Sequence, residues 1–221
     1  MIDLIQAMKD RHSVRSYISR PIDENKVTVL QNEIQKINAE SGLHFQLMIN
    51  ESRAFSGRLA HYGSFYNCAN YFAVTARDGR DVEIGYHGER LVLLAQQLGL
   101  NTCWVALTYS KSKVPVDRAT GEKLRIVIAL GYGETQGVPH KSRMITSLCR
   151  VNGAMPDWFR RGMEAAMLAP TAVNQQKFRF ALVEPNTVKA GTAFGPYARV
   201  DLGIAKLHFE IGAGKENFRW A

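Results

Sequence analysis

The chain has 221 residues, of which 46% are hydrophobic and 22% are charged. This length and composition are typical of a globular protein with a substantial core and exclude a largely disordered chain. No apolar run approaches the roughly 18 residues that a membrane span needs, and the start lacks the segments of a secretory signal. We therefore expect neither a membrane partner nor export.

The net charge of +8 suits either nucleic acid or a small anionic ligand. The basic residues are scattered and do not form a basic and aromatic strip of the kind that binds single strands. An odd number of cysteines without metal-site spacing favours a reducing cytoplasm and buried, inert thiols, namely Cys68, Cys103 and Cys149. The six histidines form no H-x-x-x-H pair, so we expect no metal site.

Hydrophobic periodicity predicts a short helix before Arg11, then a helix that begins after Asp23 and ends at Gly42. A strongly apolar helix is predicted over 85–99. Strands are predicted over 43–49, 71–76, 101–107 and 124–130. The last of these is almost unbrokenly apolar, which predicts a central strand covered on both faces.

The last third of the chain predicts a helix over 155–167, a loop over 169–176, a strand over 178–183 and a helix over 199–211. Its helix, loop and strand resemble the helix, loop and strand of the first third, which suggests an internal repeat. No linker separates the parts. We therefore expect a single α+β domain over residues 1–221.

The segment from Arg11 to Tyr17 places two guanidinium groups, an imidazole and a hydroxyl within five residues. Arginine matches the geometry of phosphate, which favours a phosphate-binding segment. The alternative is a solvated basic end of the preceding helix, because cations favour helix C-termini. Residue types alone favour this simpler alternative.

The polar loop 169–176 contains a proline, small residues and two side-chain amides, Asn174 and Gln176. An amide presents a donor and an acceptor side by side and can pair with the edge of a heterocycle. Together with basic residues at 11–15 and 141–143, the loop suggests a ligand that has a phosphate and a flat polar ring, as a mononucleotide does. No dinucleotide-binding, Walker A or G-x-S-x-G motif is present, and no residue is indicated as catalytic.

Five motifs together resemble the FMN-dependent nitroreductase family, and its smaller branch most closely. They are RHSVRSY, APTAVNQQKFRF, the apolar helix ending in LGLNTCW, IALGYGE and KSR. The resemblance implies a nitroreductase-like fold with a mixed, mostly antiparallel central sheet flanked by helices. It also implies an FMN-binding domain and, in most members, an intertwined homodimer.

The resemblance implies that the chain binds FMN through residues that match the family motifs. The phosphate and ribityl chain would be held by the first motif and the basic pair, and the flavin ring by the proline loop. Gly85 would approach the ring face and Asn67 its pyrimidine edge. The residues implied for the phosphate and the ring loop are Arg11, His12, Ser13, Arg15, Lys141, Arg143, Pro170, Thr171, Ala172, Asn174 and Gln176.

The family's chemistry implies that NAD(P)H delivers hydride to N5 of FMN, and that a nitroaromatic, a quinone or a similar electrophile is then reduced. The flavin carries this chemistry, so no catalytic side chain is required. An FMN-binding protein with little turnover and, less favoured, a basic nucleic-acid-binding protein are the alternatives.

One departure concerns the order of the motifs. In most family members the proline loop follows the phosphate motif by about 25 residues, whereas here it begins at residue 169. This leaves open whether an FMN site lies within one chain, in a pseudo-symmetric monomer, or is shared across a homodimer.

Overall fold

The computed structural model describes residues 2–184 and 186–221. Within these residues lie six α-helices and eight β-strands, which confirms the predicted α+β class. The helices are α1 (Leu4–Asp10), α2 (Glu24–Ser41), α3 (Arg58–Tyr62), α4 (Asp81–Gln97), α5 (Asp157–Ala166) and α6 (Ala198–Ala213). The strands are β1 (His44–Met48), β2 (Asn70–Ala76), β3 (Asn101–Val105), β4 (Lys123–Gly131), β5 (Cys149–Val151), β6 (Phe178–Glu184), β7 (Thr187–Thr192) and β8 (Arg219–Trp220).

The first sheet has the order β1-β2-β4-β3, and each neighbouring pair is antiparallel. Strand β4 lies between β2 and β3, so the central position predicted from its apolar run is confirmed. Its residues from Ile126 to Gly131 are all buried. A strand that has neighbours on both edges and is covered on both faces does not alternate between apolar and polar residues.

The second sheet has the order β5-β6-β7-β8, with parallel outer pairs and an antiparallel central pair. The strands therefore form two sheets, where a single central sheet was expected. Three strands of the second sheet, β5, β7 and β8, were not predicted. Two are only three and two residues long, and β7 contains Lys189 and Gly191, so none shows a clear apolar period.

The described chain divides into two compact units. The first unit consists of Asp10–Arg80 and Leu91–Val138. The second consists of Ile2–Lys9, Asp81–Arg90 and Pro139–Ala221. The expected single domain stays a prediction.

One buried cluster of the first unit lies on one face of its sheet. Paired residues such as Tyr71 and Ala129 share that face, and both are fully buried. Val14 and Tyr17 belong to the same buried cluster. The segment that follows α1 is therefore fixed by its apolar residues.

The core of the second unit is aromatic. The ring of Phe209 on α6 stacks on Phe180 of β6 at 4.8 Å between ring centroids. It also meets Phe159 of α5 edge-on at 5.3 Å and Phe218 at 5.2 Å. Such aromatic pairs add about 0.5–1.5 kcal/mol each beyond their buried area, and they join α5 and α6 to one face of the sheet.

Helix α2 begins and ends as predicted, and the side chain of the preceding Asp23 makes no capping hydrogen bond. Its carboxylate instead accepts a hydrogen bond from the Tyr132 hydroxyl at 2.9 Å. At the other end Gly42 adopts a left-handed conformation with φ of 66°, and its N–H donates to the carbonyl oxygen of Asn38. Glycine takes this conformation without steric strain, which explains where the helix stops.

The cysteines follow the prediction only in part. Cys68 and Cys103 are buried, and burial raises the pKa of both thiols. Cys149 at the start of β5 is partly exposed, so the expectation of a buried thiol was wrong there. In the part of the chain that the structure describes, no helix combines the length and the apolar character needed to cross a membrane.

Candidate functional site

The basic segment after α1 is extended. The helix ends at Asp10, and the Arg11 side chain that follows is only 3% exposed. The N–H of Val14 donates to the Thr102 carbonyl oxygen at 3.0 Å, so the segment pairs with β3. A solvated basic helix end was therefore the wrong alternative.

The side chains of this extended segment differ in burial. Val14 and Tyr17 are buried, whereas Ser13 and Arg15 are exposed. Burial of the apolar residues leaves Ser13 and Arg15, the two neighbours of Val14, at the surface. The exposed Arg15 guanidinium lies 6.0 Å from the centre of the Phe65 ring.

The electrostatics of the segment favour an anion. Burial and the neighbouring charge of Arg11 lower the pKa of His12, so the imidazole is neutral at neutral pH. The positive charge is therefore carried by the buried Arg11 and the exposed Arg15. A guanidinium removed from water interacts more strongly with an anion than a solvated one does.

Asn67 lies beside this segment. The N–H of the preceding Tyr66 donates to the Arg15 carbonyl oxygen at 3.0 Å, and the Tyr66 carbonyl accepts from Tyr17. Asn67 itself is exposed and left-handed, with φ of 52°. Asparagine is among the few residues that tolerate this conformation. The first unit thus brings Asn67 close to the basic segment.

A second loop, residues 133–137, also lies against the segment; it begins within the IALGYGE motif but was not predicted as part of the site. The N–H of Glu134 donates to the Ser16 carbonyl oxygen, and the Ser16 hydroxyl donates to the Glu134 carboxylate at 2.5 Å. A methyl group on Gly137 would come within 2.8 Å of the Cβ of His12. The glycine-rich loop therefore supports the basic segment from its side.

In the second unit, Gln176 joins two of the predicted loops. Its side chain is 2% exposed, and its Oε1 accepts from the Arg143 N–H at 2.9 Å. Its Nε2 donates to the Lys141 carbonyl oxygen at 2.8 Å and to Asn174 Oδ1 at 2.7 Å. Asn174 in turn donates to the same carbonyl of Lys141 at 2.9 Å. Residues 141–143 and 171–176 are therefore held together.

This network changes what the two amides do. Both amide hydrogens of Gln176 are donated within the protein, and the side chains of Lys141 and Arg143 are exposed. The predicted pairing of Asn174 and Gln176 with a heterocycle stays a prediction. In the structure these amides position the loop.

The loop itself has a strained backbone. Val173 has φ of 46°, Asn174 of 54° and Gln176 of 44°, all in the left-handed region. That region disfavours residues with a Cβ by roughly 1–2 kcal/mol each, and a β-branched valine most of all. The side chain of Val173 is nevertheless 91% exposed. Strain of this kind clusters at ligand-binding segments.

Asp201 on α6 holds this loop and was missed in the sequence. Its Oδ1 accepts from the Ala172 N–H at 3.0 Å, and its Oδ2 accepts from Gln175 Nε2 at 2.7 Å. The side chain is 4% exposed, and burial raises its pKa to about 6. The sequence feature that could have indicated Asp201 is a carboxylate within the apolar stretch of a helix, because burial of a charge is costly unless the charge has a partner.

Thr171 closes the loop from within, because its Oγ1 accepts from the Gln176 N–H at 3.1 Å. Pro170, Thr171 and Ala172 are all partly exposed. The backbone between the end of α5 and β6 is thus fixed at both ends by side-chain hydrogen bonds.

Gly85 is buried where α4 approaches α6. A methyl group on Gly85 would overlap the carbonyl oxygen of Val200, and one on Gly203 would overlap the carbonyl oxygen of Val82. The two glycines therefore allow a close approach of two helices. This packing explains Gly85 without a ligand, and its predicted place near a flavin stays a prediction.

The structure gathers the predicted residues into two groups, one in each unit. The first unit brings together Arg11, His12, Ser13, Arg15 and Asn67. The second unit brings together Lys141, Arg143, Pro170, Thr171, Ala172, Asn174 and Gln176, with Gly85 in the helix contact described above.

Comparison with known proteins identifies the family. Residues 3–213 match the family described as "Putative TM nitroreductase". The chain belongs to this nitroreductase family. No curated protein sequence matches it.

Solved structures show that the nitroreductase fold extends over nearly the whole chain. A "putative nitroreductase" from Thermotoga maritima MSB8 is 23% identical, with a TM-score of 0.68, and the match covers 97% of this chain and 85% of that chain. The last third of the chain therefore has a counterpart in that structure. The predicted nitroreductase-like fold is confirmed.

Two further structures match a smaller part of the chain. A "Putative NADH dehydrogenase/NAD(P)H nitroreductase" from Parabacteroides distasonis ATCC 8503 is 16% identical, with a TM-score of 0.51, and the match covers 67% of this chain and 97% of that chain. A "putative nitroreductase in complex with fmn" from Desulfovibrio desulfuricans is 17% identical, with a TM-score of 0.50, and the match covers 67% of this chain and 96% of that chain.

Proposed function

We propose that this nitroreductase-family protein is an FMN-dependent oxidoreductase, which takes hydride from NAD(P)H and reduces nitroaromatics, quinones or similar electrophiles. The observation that carries the proposal is the family match over residues 3–213. The description of the D. desulfuricans protein names FMN, and that of the P. distasonis protein names NAD(P)H, which supports the same cofactors here.

The basic segment of the first unit fits a phosphate group. It offers an exposed hydroxyl on Ser13, an exposed guanidinium on Arg15 and the buried charge of Arg11. Hydrogen bonds from charged donors to phosphate oxygens are the stronger ones, and arginine donates them in pairs. We assign phosphate binding to these residues, with His12 as a neutral neighbour and Asn67 at the side.

The joined loops of the second unit fit an anionic, flat ligand. Lys141 and Arg143 expose cations, and the partly exposed residues Pro170, Thr171 and Ala172 offer small side chains and backbone. Small residues let a flat ring lie close to the backbone. We assign contact with the ring to Pro170–Ala172 and contact with the phosphate to Lys141 and Arg143.

Bound FMN supplies the hydride and electron chemistry of the reaction. The chain supplies binding and orientation: Arg11 and Arg15 hold negative charge, and Gln176 keeps residues 141–143 beside the loop 171–176. Cations near a reacting ring favour its negatively charged form. No side chain is assigned a proton transfer.

The test of the proposed function is flavin binding followed by turnover. Purified protein incubated with FMN and then desalted is expected to retain absorbance at about 450 nm, the band of the flavin itself. It is then expected to oxidise NADH or NADPH when a nitroaromatic or a quinone is added. Protein that retains no flavin contradicts the proposal. Retained flavin without turnover favours the alternative of an FMN-binding protein.

We also propose that the protein is a cytoplasmic homodimer, with a pseudo-symmetric monomer as the alternative. The three free cysteines support a reducing compartment. One chain has a mass of 24.8 kDa, and sedimentation equilibrium with and without FMN is expected to give twice this mass. A mass of one chain at every concentration supports the monomer.

A further inference from the structure

The loop 171–176 is held in a conformation that its own residues disfavour. Three of its residues are left-handed without being glycine, and Val173 among them is β-branched and exposed. Left-handed backbone is unfavourable for each of these residues, because each has a Cβ. Contacts outside the three residues must therefore offset this strain.

Two sets of contacts hold the loop. The Gln176 side chain ties its end to residues 141–143. Asp201 ties its start, because the Ala172 N–H and the Gln175 side chain on either side of the strained Val173 and Asn174 both donate to the one carboxylate. The strained turn is therefore closed by Asp201 from α6.

We propose that Asp201 is a positioning residue, whose carboxylate holds the loop 171–176 in the conformation that binds the flavin. The role in flavin binding rests on the function proposed above. Asp201 itself touches no ligand in this scheme. It acts through Ala172 and Gln175.

A carboxylate is the side chain that suits this place. It accepts through both oxygens at once, whereas an asparagine of the same shape has one acceptor and one donor. The Gln175 amide is already fixed, since its Nε2 also donates to the Pro196 carbonyl oxygen at 2.8 Å. In Asp201→Asn, the amide nitrogen of the new side chain would therefore face the N–H group of either Ala172 or Gln175, and two donors would oppose each other.

Burial strengthens the dependence on this residue. Asp201 is 4% exposed, so water does not replace either hydrogen bond when the carboxylate is changed. Hydrogen bonds to a buried charged group are stronger than those between neutral groups. The position in the first turn of α6 adds a favourable interaction with the positive end of the helix.

The experiment compares Asp201→Asn with a matched control, Asp157→Asn. Asp157 also lies in the first turn of its helix, α5, but is exposed, so the control makes the same change in charge near a helix start. Hydrogen exchange at the Ala172 amide reports on the loop without any flavin. The dissociation constant of FMN, from quenching of its fluorescence, reports on binding.

We expect Asp201→Asn to speed exchange at Ala172 and to weaken FMN binding by about 10-fold to 100-fold each, while Asp157→Asn changes neither. The double variant Asp201→Asn with Gln175→Glu restores an acceptor opposite the new amide. It is expected to recover part of both losses. Gln175→Ala, which keeps the carboxylate, covers the case in which Asp201→Asn fails to fold and is expected to give the same changes at smaller size.

Two results overturn the proposal. One is unchanged exchange at Ala172 in Asp201→Asn and Gln175→Ala. The other is faster exchange with unchanged FMN affinity, because the loop would then be held by Asp201 for stability alone. Wild-type protein that binds no FMN overturns the proposed function, and it is recognised separately because exchange is measured without flavin.

Discussion

At the scale of single residues, apolar anchors decide where the polar groups of this protein lie. Val14 and Tyr17 are buried at 3% and 1% exposure, and the neighbours of Val14, Ser13 and Arg15, are exposed. Gln176 is likewise buried, whereas Lys141 and Arg143 beside it are exposed. The residues that we propose to contact a ligand therefore depend for their position on buried neighbours that do not contact it.

Arg15→Gln tests the proposed phosphate contact. Because the side chain is exposed, the fold is expected to stay intact while FMN binding weakens by about 1.5–3 kcal/mol, the contribution of a charge-assisted hydrogen bond. Riboflavin has no phosphate, so its affinity is expected to stay unchanged. Titration of both flavins, with the exposed Arg160→Gln as the control, measures this. Equal losses for the two flavins would show that Arg15 does not recognise phosphate.

The raised pKa of Asp201 makes stability depend on pH. Burial raises this pKa from 3.8 to about 6, so between these values the folded state binds a proton that the unfolded state has released. The contribution of Asp201 to the free energy of unfolding therefore falls as pH rises from about 4 to 6, by roughly 2–3 kcal/mol. The described neighbours that set this pKa, Ala172 and Gln175, are uncharged.

Urea unfolding of wild type and Asp201→Asn at about pH 4 and pH 7 measures this effect. Other carboxylates such as Glu122 have lowered pKa values and act in the opposite direction, so the difference between the two proteins isolates Asp201. A difference in unfolding free energy that is the same at both pH values would contradict the prediction. The polar side chains of Tyr86 and Glu89 on the neighbouring helix α4 form hydrogen bonds with Glu210 and His208, which lie further along α6 than Asp201.

At the scale of elements, glycine sets how closely α4 and α6 approach in the second unit. Gly85 and Gly203 each face a carbonyl oxygen of the other helix, and a Cβ on either would overlap it. Backbone atoms cannot rotate away as the end of a side chain can. The approach of the two helices therefore requires glycine at both positions.

Gly203→Ala is expected to lower the free energy of unfolding by about 3 kcal/mol or more, because the helices must separate. Gly191→Ala serves as the control, since a methyl group there meets no atom within 4 Å. Its effect is expected to stay within about 0.5 kcal/mol. Chemical denaturation of both variants measures the difference, and similar small losses would refute the close approach of the helices.

At the scale of the whole molecule, the chain forms two compact units that alternate along the sequence. Helix α4 is continuous from Asp81 to Gln97, yet its residues to Arg90 belong to the second unit and those from Leu91 to the first. Unfolding of either unit removes packing from one part of the same helix. This continuity supports the expected single domain.

We therefore expect thermal unfolding in one cooperative transition. Calorimetric and van't Hoff enthalpies are expected to agree, as they do for a single cooperative domain. The near-ultraviolet signal of the three tryptophans and the far-ultraviolet helical signal are expected to change together. Two separate transitions would show that the units unfold independently.

The sequence by itself determined the elements with strong periodicity. Five of the six described helices, the strands of the first sheet and the loop 169–176 were predictable, because apolar spacing and turn residues are local signals. The basic segment and the residues 141–143 were also predictable as a candidate site from residue type. The nitroreductase fold followed from the motifs together.

Only the tertiary structure decided the second sheet and the roles of the polar side chains. Strands β5, β7 and β8 form because β6 and its neighbours offer backbone partners, and short strands have no period to read. Asp201 lies 29 residues from Ala172, and the contact of Gln176 with Lys141 spans 35 residues. Such contacts depend on where distant segments meet in the fold, which no local pattern specifies.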